Sequence, residues 1–81
     1  MRVEVLYFAM LRERVGRDQE ALELPRGASV REARAAIAAQ HLELAPLLSR
    51  VQTAVNRAVV GGEHLLCEGD ELALLPPVAG G

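Results

Sequence analysis

The sequence contains no lysine and no tryptophan, and its 81 residues include one tyrosine, one phenylalanine and one cysteine. Because all nine basic residues are arginine, no side-chain amine is available to accept an isopeptide bond. If the chain is joined to another protein, we expect it to donate the carboxyl group. The two aromatic residues, Tyr7 and Phe8, are too few to form the stacking surfaces that bind single-stranded nucleic acid. The formal net charge of −2 also argues against a nucleic-acid partner.

The scarcity of cysteine and histidine limits the chemistry that this chain performs alone. A single cysteine, Cys67, excludes an internal disulfide and a cysteine metal cluster. Its position between Leu66 and Glu68 favours a small packed residue over a sulfur carrier. His41 and His64 have no third ligand at a recognisable spacing, so we expect ordinary surface roles and no metal site.

Long apolar runs are also missing, and none approaches the length that spans a membrane. The apolar stretch from Val5 to Leu11 follows Arg2, as a signal peptide would, but Glu4 lies in its basic region. Charged residues follow the stretch at once and no small-residue cleavage site is present. We therefore expect a cytoplasmic protein with no membrane partner.

The composition is that of one small globular domain, with 51% hydrophobic and 25% charged residues. A chain of this length buries only about 60–65% of its unfolded surface, so a deep active site of its own is not expected. Alternating apolar and polar residues predict strands over residues 2–8, 20–24, 51–55, 58–60 and 71–75. In the last strand, Leu72 and Leu74 are predicted to point inward.

Two helices are predicted between the strands. Met10 to Val15 forms a short helix that Gly16 ends. Ser29 and Glu32 form a capping box, which predicts a longer amphipathic helix from residue 30 to about residue 40. Short turns are expected at residues 45–48 and 68–70, and Gly61-Gly62 breaks the strand pattern. This order predicts an α+β fold in which one mixed sheet packs on one main helix.

The end of the sequence predicts an extended, flexible arm. Pro76 and Pro77 are unsuited to a sheet ladder and should end the last strand, which divides the chain into a domain of residues 1–76 and a tail of residues 77–81. Five residues reach at most about 17 Å, enough to enter a pocket of another protein. Gly80 and Gly81 add only backbone width, so a narrow channel would admit them.

Several motifs together resemble a known family. They are Val5 to Ala9, Asn56-Arg57, Glu68 to Glu71 and the ending Leu75 to Gly81. Over the whole chain they are similar to the small, sulfur-carrying subunit of molybdopterin synthase, a member of the ubiquitin-related β-grasp proteins. The resemblance implies a β-grasp fold and a sulfur-donating subunit whose active site lies mainly on the large subunit.

The resemblance also implies the chemistry of the tail. A ubiquitin-activating-like adenylyltransferase would use ATP and Mg²⁺ to adenylate the carboxylate of Gly81, and a sulfur donor protein would convert it to a thiocarboxylate. The thiocarboxylate would then donate sulfur to cyclic pyranopterin monophosphate, which forms the dithiolene of molybdopterin. Gly80 would keep the tail passage narrow. The chain itself would bind no cofactor, and two small and two large subunits would form a heterotetramer.

A partner surface is predicted from strand alternation. If three charged residues mark the exposed sides of their strands, then three apolar residues share those sides: Glu4, Arg57 and Glu71 are the charged ones, and Phe8, Val59 and Leu75 are the apolar ones. An exposed apolar patch suggests a partner site. Pro76, Pro77, Val78 and Ala79 would extend that site along the tail. The alternative is that Phe8, Val59 and Leu75 pack under the tail or a loop.

Three other functions remain open from the sequence. A carrier of the same chemistry would deliver sulfur to the thiazole of thiamine or to transfer RNA. A ubiquitin-like modifier would be conjugated to target lysines through Gly81. A passive interaction domain would not need Gly81 at all.

Overall fold

The computed structural model describes residues 1–76. Within these residues, five strands, three α-helices and one 3-10 turn follow each other. They are β1 (Arg2–Tyr7), α1 (Ala9–Val15), β2 (Gln19–Glu23), α2 (Val30–Gln40), the 3-10 turn (Leu42–Leu44), α3 (Ala45–Leu48), β3 (Gln52–Val55), β4 (Ala58–Val60) and β5 (Glu71–Leu75).

The five strands form one mixed sheet in the order β2-β1-β5-β3-β4. The first and last strands, β1 and β5, lie side by side and parallel, with Val5 opposite Leu72 and Tyr7 opposite Leu74. All other neighbouring pairs are antiparallel. A parallel pair needs a long connection across the sheet, and here that connection contains α2. This arrangement is the β-grasp fold, which confirms the predicted fold class.

The hydrophobic core lies between the sheet and α2. Val3, Val5 and Tyr7 of β1 and Leu72 and Leu74 of β5 are buried on the face that meets the helix. From the other side, α2 contributes an apolar stripe that is also buried, made of Val30, Ala33 and Ile37. The core is therefore aliphatic apart from one tyrosine ring, as the composition predicts.

The predicted helix boundaries are supported by the backbone geometry. The Ser29 hydroxyl accepts a hydrogen bond from the Glu32 amide at 3.2 Å, and the Glu32 carboxylate accepts one from the Ser29 amide at 3.0 Å. These two bonds complete the capping box at the start of α2. Gly16, with φ of +86°, ends α1 in the left-handed region.

Two differences from the predictions are found, one at the end of a strand and one in the type of an element. Phe8, predicted as the end of the first strand, is instead the residue that precedes α1. The segment 45–48, predicted as a turn, is the helix α3, because Pro46 occupies a position in the first helical turn, where no amide donor is needed. In residues 1–76, no helix is long and apolar enough to cross a membrane.

Candidate functional site

A row of four apolar residues crosses the sheet on the face opposite α2. Leu6 of β1 lies beside Ala73 of β5, Ala73 lies beside Ala54 of β3, and Ala54 lies beside Val59 of β4. The two central residues are alanines, whereas the outer two are larger. Small side chains between larger ones leave a depression, so the sheet itself forms a groove here.

Larger side chains surround this groove, which has a volume of about 530 Å³. Phe8 is 42% exposed and Val59 is 64% exposed, so both present apolar surface to solvent at the groove. Leu75 is half-buried at the groove, and Arg57 and Glu71 place one positive and one negative charge beside the apolar floor. We call this surface, made of Leu6, Phe8, Ala54, Arg57, Val59, Glu71, Ala73 and Leu75, the apolar groove.

The three apolar residues predicted from alternation therefore meet at one site, although part of the reasoning was wrong. Arg57 does not mark the exposed side of a strand: it lies with Asn56 in the turn between β3 and β4. Phe8 lies one residue beyond β1. It nevertheless faces the groove together with Val59 and Leu75.

The groove floor, made of Leu6, Ala54 and Ala73, was not among the predicted site residues. Leu6 lies two residues after Glu4, and Ala73 lies two residues after Glu71. The strand alternation that predicted the partner surface therefore also places Leu6 and Ala73 on that side of the sheet. The contribution of Ala54 depends on the register between β3 and β5, which is a long-range feature. Ala54 is only 6% exposed because the larger groove residues surround it.

The turn between β3 and β4 is tied to the start of β5 by side-chain hydrogen bonds. The Asn56 side-chain amide donates to Asp70 at 3.0 Å, and its oxygen accepts from the Glu71 amide at 3.0 Å. The second Asp70 carboxylate oxygen accepts from the Cys67 amide at 2.8 Å. Asn56 and Asp70, two of the residues that carried the family resemblance, therefore brace the backbone beneath one end of the groove.

A second polar cluster lies at the C-terminal end of β1, around Tyr7. The Tyr7 hydroxyl donates to Glu20, and His41 Nε2 is hydrogen-bonded to the same carboxylate oxygen. Arg17 approaches the other oxygen of Glu20 at 3.7 Å, and His41 Nδ1 lies 3.9 Å from Glu43. The cluster joins β1 and β2 to the end of α2.

Burial, followed by the hydrogen bond to Glu20 and the charge of that carboxylate, raises the pKa of Tyr7 far above its ordinary value. Burial alone would raise the pKa of Glu20 as well. The hydrogen bonds from Tyr7 and His41 and the charges of His41 and Arg17 outweigh burial, and the pKa of Glu20 is lowered.

Two residues therefore differ from the roles predicted for them. His41, predicted as an ordinary surface residue, is half-buried in the polar cluster. Cys67, predicted as a packed residue, is exposed. His64 is exposed, as predicted. Residues 1–76 contain no group of three or more His, Cys, Asp or Glu side chains that could hold a metal ion.

The last strand ends at the rim of the groove, before the predicted tail. Leu75 is the last residue of β5 and a groove residue, and Pro76, which follows it, is half-buried. Pro77, Val78, Ala79, Gly80 and Gly81 lie outside the described residues. The predicted partner contacts of residues 77–79, and the reactive roles of Gly80 and Gly81, remain predictions.

The model of the ThiS family matches residues 5–81 of this chain. The chain belongs to the ThiS family. Curated relatives of this ThiS family member include the molybdopterin synthase sulfur carrier subunit of Escherichia coli, which is 38% identical over 98% of this chain and 99% of the relative. The corresponding subunit of Chlamydomonas reinhardtii is 36% identical over the full length of both chains.

Solved structures agree with this family membership. A Pyrococcus furiosus protein provisionally identified as subunit 1 of the molybdopterin converting factor has a TM-score of 0.88 at 34% identity, covering 96% of this chain and 99% of its own. SAMP1 from Haloferax volcanii has a TM-score of 0.87 at 27% identity over both full chains. A complex of subunits 1 and 2 of the molybdopterin-converting factor from Helicobacter pylori contains a chain with a TM-score of 0.72 at 28% identity, also over both full chains.

Proposed function

We propose that this ThiS family member is the sulfur carrier subunit of a molybdopterin synthase. The observation that carries the proposal is the similarity, over nearly the whole length of both chains, to molybdopterin synthase sulfur carrier subunits. The pair Gly80-Gly81 supports it, because a carrier of this kind needs a tail of no more than backbone width.

The chemistry proposed for Gly81 begins with activation, because a carboxylate has no good leaving group. The activating enzyme, an adenylyltransferase, joins the Gly81 carboxylate to AMP from ATP, with Mg²⁺ and with release of pyrophosphate. A persulfide of the sulfur donor displaces AMP, and a donor thiol then cleaves the resulting acyl disulfide. The Gly81 thiocarboxylate that remains is the sulfur source for cyclic pyranopterin monophosphate.

In this proposal the apolar groove docks the large subunit of the synthase. The Helicobacter pylori complex shows a related subunit 1 joined to a subunit 2. The groove is exposed and apolar, and its two charges, on Arg57 and Glu71, require a partner with complementary charges around an apolar centre. Because Leu75 belongs to both the groove and β5, a partner docked here also receives the tail that follows.

Mass spectrometry of the intact chain tests the proposal. The chain is incubated with the activating enzyme, ATP and a sulfur donor. Replacing one oxygen with sulfur adds about 16 Da, as does one oxidation of methionine or cysteine, so C-terminal fragmentation must locate the added mass. Sulfur on Gly81 supports the carrier function. An unchanged Gly81 in a reaction that activates a known carrier contradicts it.

Variants of the tail separate its two roles. Deletion of Gly81 should abolish adenylation while leaving Tm nearly unchanged. Gly80→Val should fold normally but transfer sulfur poorly, because its branched side chain widens the tail. Gly61→Val is the matched control, because a Cβ at Gly61 meets nothing within 4 Å. Normal turnover by Gly80→Val contradicts the narrow-channel argument.

A second candidate function, that of a protein modifier, is supported by the similarity to SAMP1 of Haloferax volcanii, whose full name is small archaeal modifier protein 1. In that case Gly81 would form isopeptide bonds with lysines of target proteins. With no lysine of its own, this chain would not extend side-chain-linked conjugates of itself. The same incubation, performed in cell extract, distinguishes the functions: high-mass adducts that survive reducing agent support the modifier, and a thiocarboxylate without adducts supports the carrier.

A further inference from the structure

We propose that Ala9 is a positioning residue whose left-handed backbone conformation holds Phe8 on the apolar groove in the orientation that the partner binds. The inference rests on the proposed docking function of the groove and goes beyond it. Ala9 has a φ of +49°. This is the left-handed region, in which an alanine is disfavoured because its Cβ crowds the following carbonyl oxygen.

Glycine would occupy this backbone region without the steric penalty. The described chain places glycine at three other positions of positive φ: Gly16, Gly27 and Gly69. The other two non-glycine residues with positive φ in residues 1–76, Asn56 and Arg57, form the two-residue turn between β3 and β4. Ala9 is not in such a turn, and it is exposed, so no core packing of its methyl group compensates for the strain. Strained backbone of this kind persists only where the surrounding structure holds it, and it is concentrated at functional sites.

The neighbouring contacts restrict Phe8 from both sides. On one side, Tyr7 is buried, its hydroxyl donates to Glu20, and its amide donates to the Asp18 carbonyl at 2.8 Å. On the other side, the Phe8 carbonyl accepts hydrogen bonds from the Leu11 amide at 3.0 Å and the Arg12 amide at 3.4 Å. The Phe8 backbone therefore lies between two anchored segments, β1 and the first turn of α1. The left-handed conformation of Ala9 sets the change of chain direction between these two segments.

The position of Phe8 matters because it lies beside Leu75, the last residue of β5. Tyr7 is opposite Leu74 in the parallel pair of β1 and β5, so Phe8 and Leu75 follow matched positions and both line the groove. An exposed aromatic ring that is already oriented loses less conformational entropy on binding than a ring that moves freely. Alanine at position 9 permits fewer backbone conformations than glycine, so it limits the freedom of Phe8 before the partner arrives.

This proposal predicts that stability and affinity change in opposite directions. Ala9→Gly relieves the strain and should raise Tm by about 3 °C. The same variant frees the backbone beside Phe8 and should weaken binding of the large subunit from the same organism by about fivefold. Ala9→Asn is the conservative variant, because asparagine tolerates the left-handed region but remains more restricted than glycine. It should keep the affinity within about twofold of the original chain, since the restriction that matters is retained.

A readout that needs no partner accompanies these measurements. Phe8 is the single phenylalanine, so its ring signals in an NMR spectrum are unambiguous. Phe8 follows Tyr7 as Leu75 follows Leu74 in the parallel pair of β1 and β5, so the contacts to measure are nuclear Overhauser contacts from the Phe8 ring to Leu75. They should weaken in Ala9→Gly and persist in Ala9→Asn. Ala35→Gly is the matched control: Ala35 is exposed within α2, where glycine should lower Tm and leave both the Phe8 contacts and the affinity unchanged.

The outcomes separate this inference from the proposed function. If Ala9→Gly raises Tm but leaves the Phe8 contacts and the affinity unchanged, the positioning role is wrong. A lower Tm would overturn the assignment of strain to Ala9. Phe8→Ala tests the groove itself: if that variant binds the large subunit normally, the docking function fails, whereas the Phe8 contacts still decide whether Ala9 orients the ring.

Discussion

At the scale of single residues, Tyr7 has the most strongly perturbed environment. Its ring is buried in the core, and its hydroxyl reaches the edge of the core, where it donates to Glu20. The His41 ring packs edge-on against it, with ring centroids 6.0 Å apart. A buried hydroxyl without a partner would be destabilising, so the position of Glu20 on β2 is what makes a tyrosine acceptable here.

The stability of the fold should therefore decrease in alkali. The pKa of Tyr7 is raised in the folded state. The contribution of Tyr7 to the free energy of unfolding is therefore complete below pH about 10 and is lost as the pH rises further. Tyr7→Phe should reduce the free energy of unfolding at neutral pH by about 1–2 kcal/mol and remove most of the alkaline decrease. Urea unfolding between pH 7 and pH 11 measures both effects.

The absence of lysine makes this experiment unusually clear, because no lysine ammonium titrates in the same range. Glu20 affects stability in the acid range instead. Because its pKa is lowered in the folded state, its contribution to the free energy of unfolding is present above pH about 4.5 and is lost as the pH falls below that value. An alkaline decrease that is equally steep in Tyr7→Phe would contradict the assignment to Tyr7.

At the scale of elements, the hairpin of β3 and β4 depends on an unusual turn. Val55 pairs with Ala58, so Asn56 and Arg57 form a two-residue loop, and their φ values are +50° and +75°. Two consecutive positive φ values are required in the type I′ turn, which matches the twist of the strands. Asparagine suits its position, and its hydrogen bonds extend to Asp70 and the Glu71 amide. Arginine at the second position is strained.

Substitutions in this turn should change stability in opposite directions. Arg57→Gly creates the preferred Asn-Gly pair and should raise the free energy of unfolding by about 0.5–1 kcal/mol. Asn56→Ala loses the side-chain hydrogen bonds of the turn and keeps the positive φ. This variant should therefore lower the free energy of unfolding by about 1–3 kcal/mol. Urea unfolding of both variants checks the prediction. A stabilised Asn56→Ala chain would show that the turn does not brace β5.

At the scale of the whole molecule, the two sides of the sheet have different tasks. One side packs on α2 and forms the core, and the other carries the apolar groove. The central position of β5 connects them, because its inward leucines lie in the core while Ala73 and Leu75 lie at the groove. The strand that precedes the predicted tail is therefore hydrogen-bonded to a neighbouring strand on each side.

Charged substitutions in the groove should weaken partner binding without unfolding the domain. Phe8→Asp or Val59→Asp should lower the affinity for the large subunit at least about tenfold, because a carboxylate would be buried against an apolar surface. Both side chains are exposed in the free chain, so Tm should change little. Isothermal titration calorimetry and thermal unfolding measure the two effects.

Leu42→Asp is the matched control for the groove. Leu42 is 75% exposed and lies outside the groove, so its substitution should leave the affinity unchanged. Equal weakening by Leu42→Asp would show that the overall charge, and not the groove, decides binding. Unchanged binding by both groove variants would remove the groove as the docking surface.

Local patterns were sufficient for most of the elements. The capping box of Ser29 and Glu32 located the start of α2, and alternation located β5 with Leu72 and Leu74 inward. These features depend on residues within one turn or one strand. Phe8 was misplaced by one residue because its alternation continues that of β1, while the change of backbone direction occurs at Ala9.

Long-range relationships were decided only in the folded chain. The parallel pairing of β1 with β5 joins residues at opposite ends of the chain, and it places Leu6, Ala73, Ala54 and Val59 in one row. His41 was wrongly predicted as a surface residue because its partner, Glu20, lies 21 positions away. Periodicity reports which side of a strand a residue occupies, but it does not report which strand lies next to it.

The sequence by itself determined the fold class, the helix caps, the inward residues of the last strand and the lack of an acceptor lysine. The Gly80-Gly81 pair is also read directly from the sequence, and the chemistry proposed for it requires no tertiary contact within the chain. The tertiary structure decided the apolar groove, the polar cluster around Glu20 and the left-handed conformation of Ala9. Each of these forms only when segments distant in the chain are packed together, because the free energy that holds them comes from those contacts.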